Sequence, residues 1–157
     1  MSRAFVDPEP KWFEDFQLGD TMTTRGRTVD IGDITVFAGL TGDHYQLHTD
    51  AAFMEKNRFG QRIAHGPLTF TLAVGLVGLS GFYGDSIAAL IEITSLKAMK
   101  PVFPGDTIHV VATIAVHDAS GPKYGTLGVN YSVRNQAGEE VLSFLQTMLA
   151  KRKQGDK

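Results

Sequence analysis

"GPLTFTLAVGLVGLSG", residues 66–81, decides the fold. Gly66 can cap a helix and Pro67 can start one, because the first turn has N–H groups without intrahelical acceptors and proline gives one up at no cost. From Leu68 to Leu79 the only polar side chains are Thr69 and Thr71. A helix apolar on every face lies in a core or in a membrane. A run of about 14 residues makes a helix of roughly 21 Å, too short to span a bilayer. The segment therefore reads as a buried central helix, and something must wrap it. Gly75 and Gly78, costly in an exposed helix, predict close approach of a sheet.

The wrapping comes next in the chain. From Ser86 the apolar period changes to two. "SIAALIEITSLKAMK" (86–100) reads as a long strand with a polar interruption, and "VFPGD" (102–106) as a turn. "TIHVVATIAVH" (107–117) puts Ile108, Val110, Ala112, Ile114 and Val116 on one face, and "DASGP" (118–122) turns the chain again. "YGTLGVNYSVRN" (124–135) aligns Leu127, Val129, Tyr131 and Val133; "QAGE" turns, and "EVLSFLQTMLA" (140–150) is the last strand. The pattern predicts an antiparallel meander of four long strands around one helix, an α+β architecture. The sheet's outer face or edge would then be available to a second copy of the chain.

Ahead of the helix, Pro8 and Pro10 mark a loose lead-in over residues 1–11, and "WFEDFQLGD" (12–20) supplies three aromatics before a Gly-Asp turn. A short strand is expected over Met22–Val29. Asp30 is a good N-cap, and Ile31, Ile34, Phe37 and Leu40 recur at helical spacing in a helix that should end near Thr41-Gly42. Residues 43–62 read as a polar, irregular stretch, with one helical turn around Ala51–Lys56 capped by Asp50. Residues 151–157 read as a charged, loose end, the KRK there being most simply solvated. No repeat or linker divides the 157 residues, so one domain is expected. With a net charge of −2, no strong field draws the protein to nucleic acid or a membrane. Without cysteine there are no disulfides or thiolate ligands, and no apolar leader is seen, so the expected setting is the cytoplasm.

"TGDHYQLHTD" (41–50) packs Asp43, His44, His48 and Asp50 into ten residues, and "RIAHGPL" adds His65 directly before the helix. Three readings compete. His44 and His48 have the i, i+4 spacing of paired metal ligands, but Tyr45 stands where a zinc protease needs glutamate. Asp43 and His48 can instead share one water, taking and returning its proton, while the Gly66 N–H at the helix N-terminus receives a developing oxyanion. The third reading is a polar loop in which Asp43 only terminates a helix and His44 faces solvent. His109 and His117 read as surface or structural residues of a strand, and Tyr124 and Tyr131 as ordinary sheet packing.

"TGDHYQLHTD" followed by "FGQRIAHGPL" resembles the two-part signature of the MaoC-like, R-specific enoyl-CoA hydratase family, roughly G-D-x-N-P-x-H and then I-A-H-G. "WFEDFQLGD" and "KPVFPGDTI" are also similar to its flanks, so the likeness runs from about Trp12 to Ala150. The resemblance implies a hot-dog fold, with the sheet wrapped round the helix of residues 67–79, and a homodimer joined edge to edge with sites near the interface. It implies a trans-2-enoyl-CoA substrate, water held by Asp43 and His48, and the thioester oxygen on the Gly66 N–H. The product would be a (3R)-3-hydroxyacyl-CoA, or the reverse, in fatty acid metabolism. No metal or redox cofactor is implied; coenzyme A is part of the substrate.

Three positions depart from the pattern. Tyr45 and Gln46 replace its Asn and Pro, which bears on loop shape and on the acyl group admitted. Val74 stands where some members carry a serine that supports the aspartate. Tyr45 and His65 join the candidate substrate contacts. Arg58, Arg62, Lys97 and Lys100 are candidates for CoA phosphates or the acyl group, and Arg134 is a further basic candidate. Arg58 and Arg62 also fit the second carboxylate of a dicarboxylic acyl group, and a branched acyl group is a related alternative. A hot-dog thioesterase is disfavoured because no Asp or Glu lies between Pro67 and Gly81. A non-catalytic acyl-CoA-binding protein is disfavoured by the presence of Asp43, His48 and Gly66 together.

Overall fold

The computed structural model describes residues 2–153. A single turn of 3₁₀ helix, Phe13–Asp15, precedes two short strands, β1 (Thr21–Thr23) and β2 (Arg27–Thr28). Then come α1 (Ile31–Thr41), two short helices α2 (Gln46–Thr49) and α3 (Ala51–Glu55), and the long α4 (Gly66–Leu79). Four long strands follow: β3 (Ile87–Ala98), β4 (Thr107–Asp118), β5 (Tyr124–Arg134) and β6 (Glu140–Lys151). The strand expected over Met22–Val29 is thus broken in two, and both pieces pair with β4.

The sheet order is β1-β4-β5-β6-β3, antiparallel throughout. Only β4, β5 and β6 form a meander. β3 does not neighbour β4 as a simple meander requires; it pairs with β6 and becomes an edge. The β3–β4 connection therefore crosses between the two sides of the sheet, and residues 98–102, from the end of β3 into that connection, line a cavity with Gly66 at the start of α4.

Strands β4, β5 and β6 alternate buried and open positions, as period two demands. Their inward residues, with Leu68, Leu72, Ala73, Leu76 and Val77 of α4, make one continuous core. Val116 lies off that core face, because a register shift between Ile114 and Val116 turns the strand over. Tyr131 and Tyr83 share a buried hydroxyl contact of 2.9 Å. Burial pushes the Tyr131 hydroxyl up to about 12 and that of Tyr83 further up. Tyr124, 42% exposed at the start of the same strand, lies outside the buried core.

Helix α4 begins one residue earlier than its composition indicated: His65 is the N-cap and Gly66 is already helical. Its apolar girdle is also misleading, because the sheet covers only one side. Gly75, Gly78, Thr71 and Leu79 fall on the exposed side, and a Cβ built on either glycine meets nothing within 4 Å. The two glycines thus mark the helix's open face and not its contact with the sheet. In α1, Ile34 and Ala38 are buried, whereas Ile31 and Leu40, expected inside, are 37% and 81% exposed. The exposed pair sit at the two ends of the helix, where the spacing of three has drifted off the inner face.

The C-terminal end is held further than expected. Lys151 closes β6, Arg152 pairs with Glu14 at 2.9 Å and Lys153 with Asp15 at 2.9 Å. Residues 154–157 of the expected loose end lie outside the described residues. Among the described residues no helix is long and apolar enough to cross a membrane.

Candidate active site

Helix α1 stops where its sequence says it should. Gly42 adopts a left-handed conformation, φ 76°, that favours glycine, and its N–H closes the helix on Ala38. Asp43 follows directly and is exposed. Its carboxylate accepts from the Tyr45 N–H at 3.3 Å, and its own N–H bonds Thr41 Oγ1 at 3.2 Å. The chain then makes the single turn α2, which carries His48, and Asp50 caps α3 by accepting from the Phe53 N–H at 2.9 Å.

His48 is fixed by a residue outside its own loop. Its Nδ1 donates to the Ile63 carbonyl at 2.7 Å, so Nε2 is the free nitrogen of the neutral ring. The face of the ring lies on His65, with centroids 3.8 Å apart and planes at 26°. His65 is 1% exposed, and its Nε2 donates to the Asp43 carbonyl at 3.0 Å. Asp43, His48 and His65 each bring one potential ligand atom within 4.8 Å of the other two. That set could hold a cation, and it differs from the expected i, i+4 pair. His44 is not part of it; it lines a second cavity of about 210 Å³ together with His48, Thr49 and Arg62.

A larger cavity, about 550 Å³, opens on His48 and Gly66 together. Its far wall is the 98–102 segment with Val141 and Leu142, and Arg58 and Lys100 also border it. Gly66 stands at the N-terminus of a 14-residue helix, its N–H has no acceptor among the described residues, and the helix dipole adds positive potential there. His48 and Gly66 thus line one cavity of mixed apolar and basic walls, and the Asp43 carboxylate, which does not line it, lies beside the His48 imidazole. Such a set can activate a water and stabilise an oxyanion.

Of the four basic candidates, Arg58 and Lys100 border this cavity. Arg58 lies 4.6 Å over the Phe59 ring, and Lys100 is paired with Glu139. Arg62 and Lys97 do not border it: Arg62 lies on the α3 side, and Lys97 lines a groove with Arg134 across the sheet. Tyr45 is 64% exposed and reaches Asp43 only through its N–H. Nothing in the sequence signals the Ile63 carbonyl, and of the 98–102 wall it singles out only Lys100 as a candidate contact. The "KPVFPGDTI" likeness marked that wall, but nothing in the sequence reveals that the β3–β4 crossover carries it to α4.

A sheet wrapped round one helix, with the loop before that helix bearing Asp43 and His48, defines a hot-dog fold of the α+β class. The model of the MaoC like domain family matches residues 15–134, and the chain belongs to that family. A solved structure described as a monoamine oxidase regulatory protein from Archaeoglobus fulgidus superposes with a TM-score of 0.88 at 34% identity, over 94% of this chain and 99% of that one. A Mycobacterium tuberculosis protein described as a double hotdog fold shares the fold alone, at TM-score 0.79 and 17% identity, over 94% of this chain and 46% of that one. Among curated relatives, protein MaoC of Klebsiella aerogenes is 37% identical over 69% of this chain, which spans only 32% of MaoC. The 3-hydroxybutyryl-CoA dehydratase of Methylorubrum extorquens is 30% identical over 66% of this chain and 64% of its own length. The (R)-specific enoyl-CoA hydratase of Aeromonas caviae is 32% identical over 45% of this chain and 66% of its own length.

Proposed function

We propose that the protein is a hydro-lyase that adds water to a trans-2-enoyl-CoA to give a (3R)-3-hydroxyacyl-CoA, or runs the reverse dehydration. The observation that carries this is the convergence of His48 and the unpaired Gly66 N–H on one cavity, with Asp43 beside His48. Water sits between the Asp43 carboxylate and His48 Nε2. Its O–H bond breaks toward the base as its oxygen bonds C3 of the enoyl group. The C2=C3 electron pair moves into the thioester, whose oxygen accepts the Gly66 N–H. The enolate then collapses and C2 takes up a proton from the Asp43–His48 pair, so nothing is oxidised or reduced. No metal or redox cofactor takes part in these steps. Arg58 and Lys100 at the cavity border meet the CoA phosphates. A second copy of the chain covers the open edge of β3.

The test follows loss of the conjugated enoyl absorbance of crotonyl-CoA. The parent should consume it, with Asp43→Asn and His48→Gln slower by about 10²–10⁴-fold, the usual weight of acid–base groups. Arg58 at the cavity supports a second reading, a dicarboxylic acyl group whose extra carboxylate it pairs. Activity on dicarboxylic but not linear or branched substrates would establish that one. Release of free thiol instead of hydration would make the protein a thioesterase, and inertness to all of them would leave an acyl-CoA-binding role.

A further inference from the structure

We infer that His65 is a positioning residue, which sets Asp43 against His48 by holding the Asp43 backbone; this rests on the hydratase reading above. Asp43 is exposed and follows the left-handed Gly42, a point where the backbone pivots easily. Its other hydrogen bonds are local, to Thr41 two residues before and Tyr45 two residues after. The His65 Nε2–H bond to its carbonyl, at 3.0 Å and across 22 residues, is its one distant tether among the described residues.

The tether is anchored to the rigid part of the fold. Ala64, one residue before, donates its N–H to the Val102 carbonyl at 2.8 Å, and the His65 carbonyl accepts from Thr69 inside α4 at 3.1 Å. The imidazole is wedged between Phe37 of α1, centroid distance 5.0 Å, and His48 at 3.8 Å. One ring therefore fixes the backbone of the carboxylate residue through a hydrogen bond and the plane of His48 through contact.

His65 also carries a cost that packing alone would not select. Its Nδ1 is buried with no partner, which is unfavourable for a polar atom. An apolar side chain would fill the space between Phe37 and His48 without that burden. What such a side chain lacks is the Nε2–H.

Two substitutions separate the bond from the packing. His65→Phe keeps a ring between Phe37 and His48 and loses the donor. His65→Gln keeps a donor near the Nε2 position and loses the flat ring. Turnover of crotonyl-CoA is scaled to the folded fraction from thermal melts. His65→Phe should lose about 10- to 10²-fold in kcat with KM within about twofold, the scale of a small misplacement of reacting groups, and His65→Gln should recover most of it. A filler role predicts the reverse order, so His65→Phe matching or exceeding His65→Gln overturns the inference, as does an unimpaired His65→Phe. If neither variant folds, or if the parent is inert and the hydratase reading itself has failed, ¹⁵N spectra of the parent decide the tether. A ring protonated on Nε2 with a slowly exchanging proton supports it, and a ring protonated only on Nδ1 overturns it.

Discussion

His48 Nδ1 lies 2.7 Å from the carbonyl oxygen of Ile63, fifteen residues along the chain. A carbonyl only accepts, so the bond selects the tautomer with its proton on Nδ1 and leaves Nε2 as the base. His48→Asn should keep an N–H near Nδ1 and thus the loop, with a melting temperature close to the parent's. Activity should still fall by about 10²–10⁴-fold, because no base remains. Asparagine restoring even a tenth of parental turnover would show that His48 only shapes the loop.

The three-residue set of Asp43, His48 and His65 leads to a second expectation. Two of its ring nitrogens are already committed to backbone carbonyls, His48 Nδ1 to Ile63 and His65 Nε2 to Asp43. In the proposed steps the Gly66 N–H, not a cation, meets the developing charge. Prolonged dialysis against EDTA should leave crotonyl-CoA hydration unchanged. Loss of activity that returns with a divalent ion would make the set a metal centre and discard the metal-free chemistry.

How far the site was legible follows from what is local in it. The end of α1 at Gly42, the Asp50 cap and the strands β4, β5 and β6 rest on neighbouring residues and on period, and these can be read along a chain. The partners that give the site its shape are not local. Ile63 meets His48 across the loop between them, and residues 98–102 face Gly66 because β3 pairs with β6 and the chain crosses back. Period fails on β3 itself, where shifts between Ile87 and Ala89, Leu90 and Glu92, and Thr94 and Lys97 turn the strand over repeatedly. The α4 glycines misled for a related reason: a helix covered on one side only still looks apolar all round when its open face carries glycine and leucine.

Residues 11–15 and 151–153 are clasped through Glu14, Asp15 and Asp85, and acid should open that clasp. Lys153 and the Trp12 N–H hold Asp15 below the ordinary carboxylate range; the Lys11 N–H and Lys151 do the same for Asp85. For Glu14 burial works the other way, but the Lys153 N–H and Arg152 outweigh it and the net direction is down. Groups with lowered values stabilise the fold above the unfolded carboxylate range, about pH 4, and lose that contribution as pH falls through their own folded values. Trp12, the only tryptophan, lies 5.3 Å from Lys151 Nζ and reports on the clasp. Its emission should shift red below about pH 4, before the far-ultraviolet dichroism of the sheet changes. A single transition seen by both probes would mean that the clasp has no separate stability.

Strand β3 exposes Leu90 (58%), Ile91 (49%) and Leu96 (47%) along a sheet edge with β6 on one side only. An apolar open edge invites pairing with another chain, and proteins that stay monomeric usually guard it with charge or proline. Here Leu90 and Ile91 stand side by side and open on that edge, which suits a second sheet continuing past it. The parent should sediment as a dimer, and Leu90→Lys with Ile91→Lys should shift it toward monomer, with β4, β5 and β6 intact by dichroism because neither residue belongs to the buried core. If both proteins sediment as monomers, this edge is not where copies of the chain meet. If both stay dimeric, the contact lies elsewhere, with the open face of α4 around Thr71 and Gly75 as the next surface to substitute.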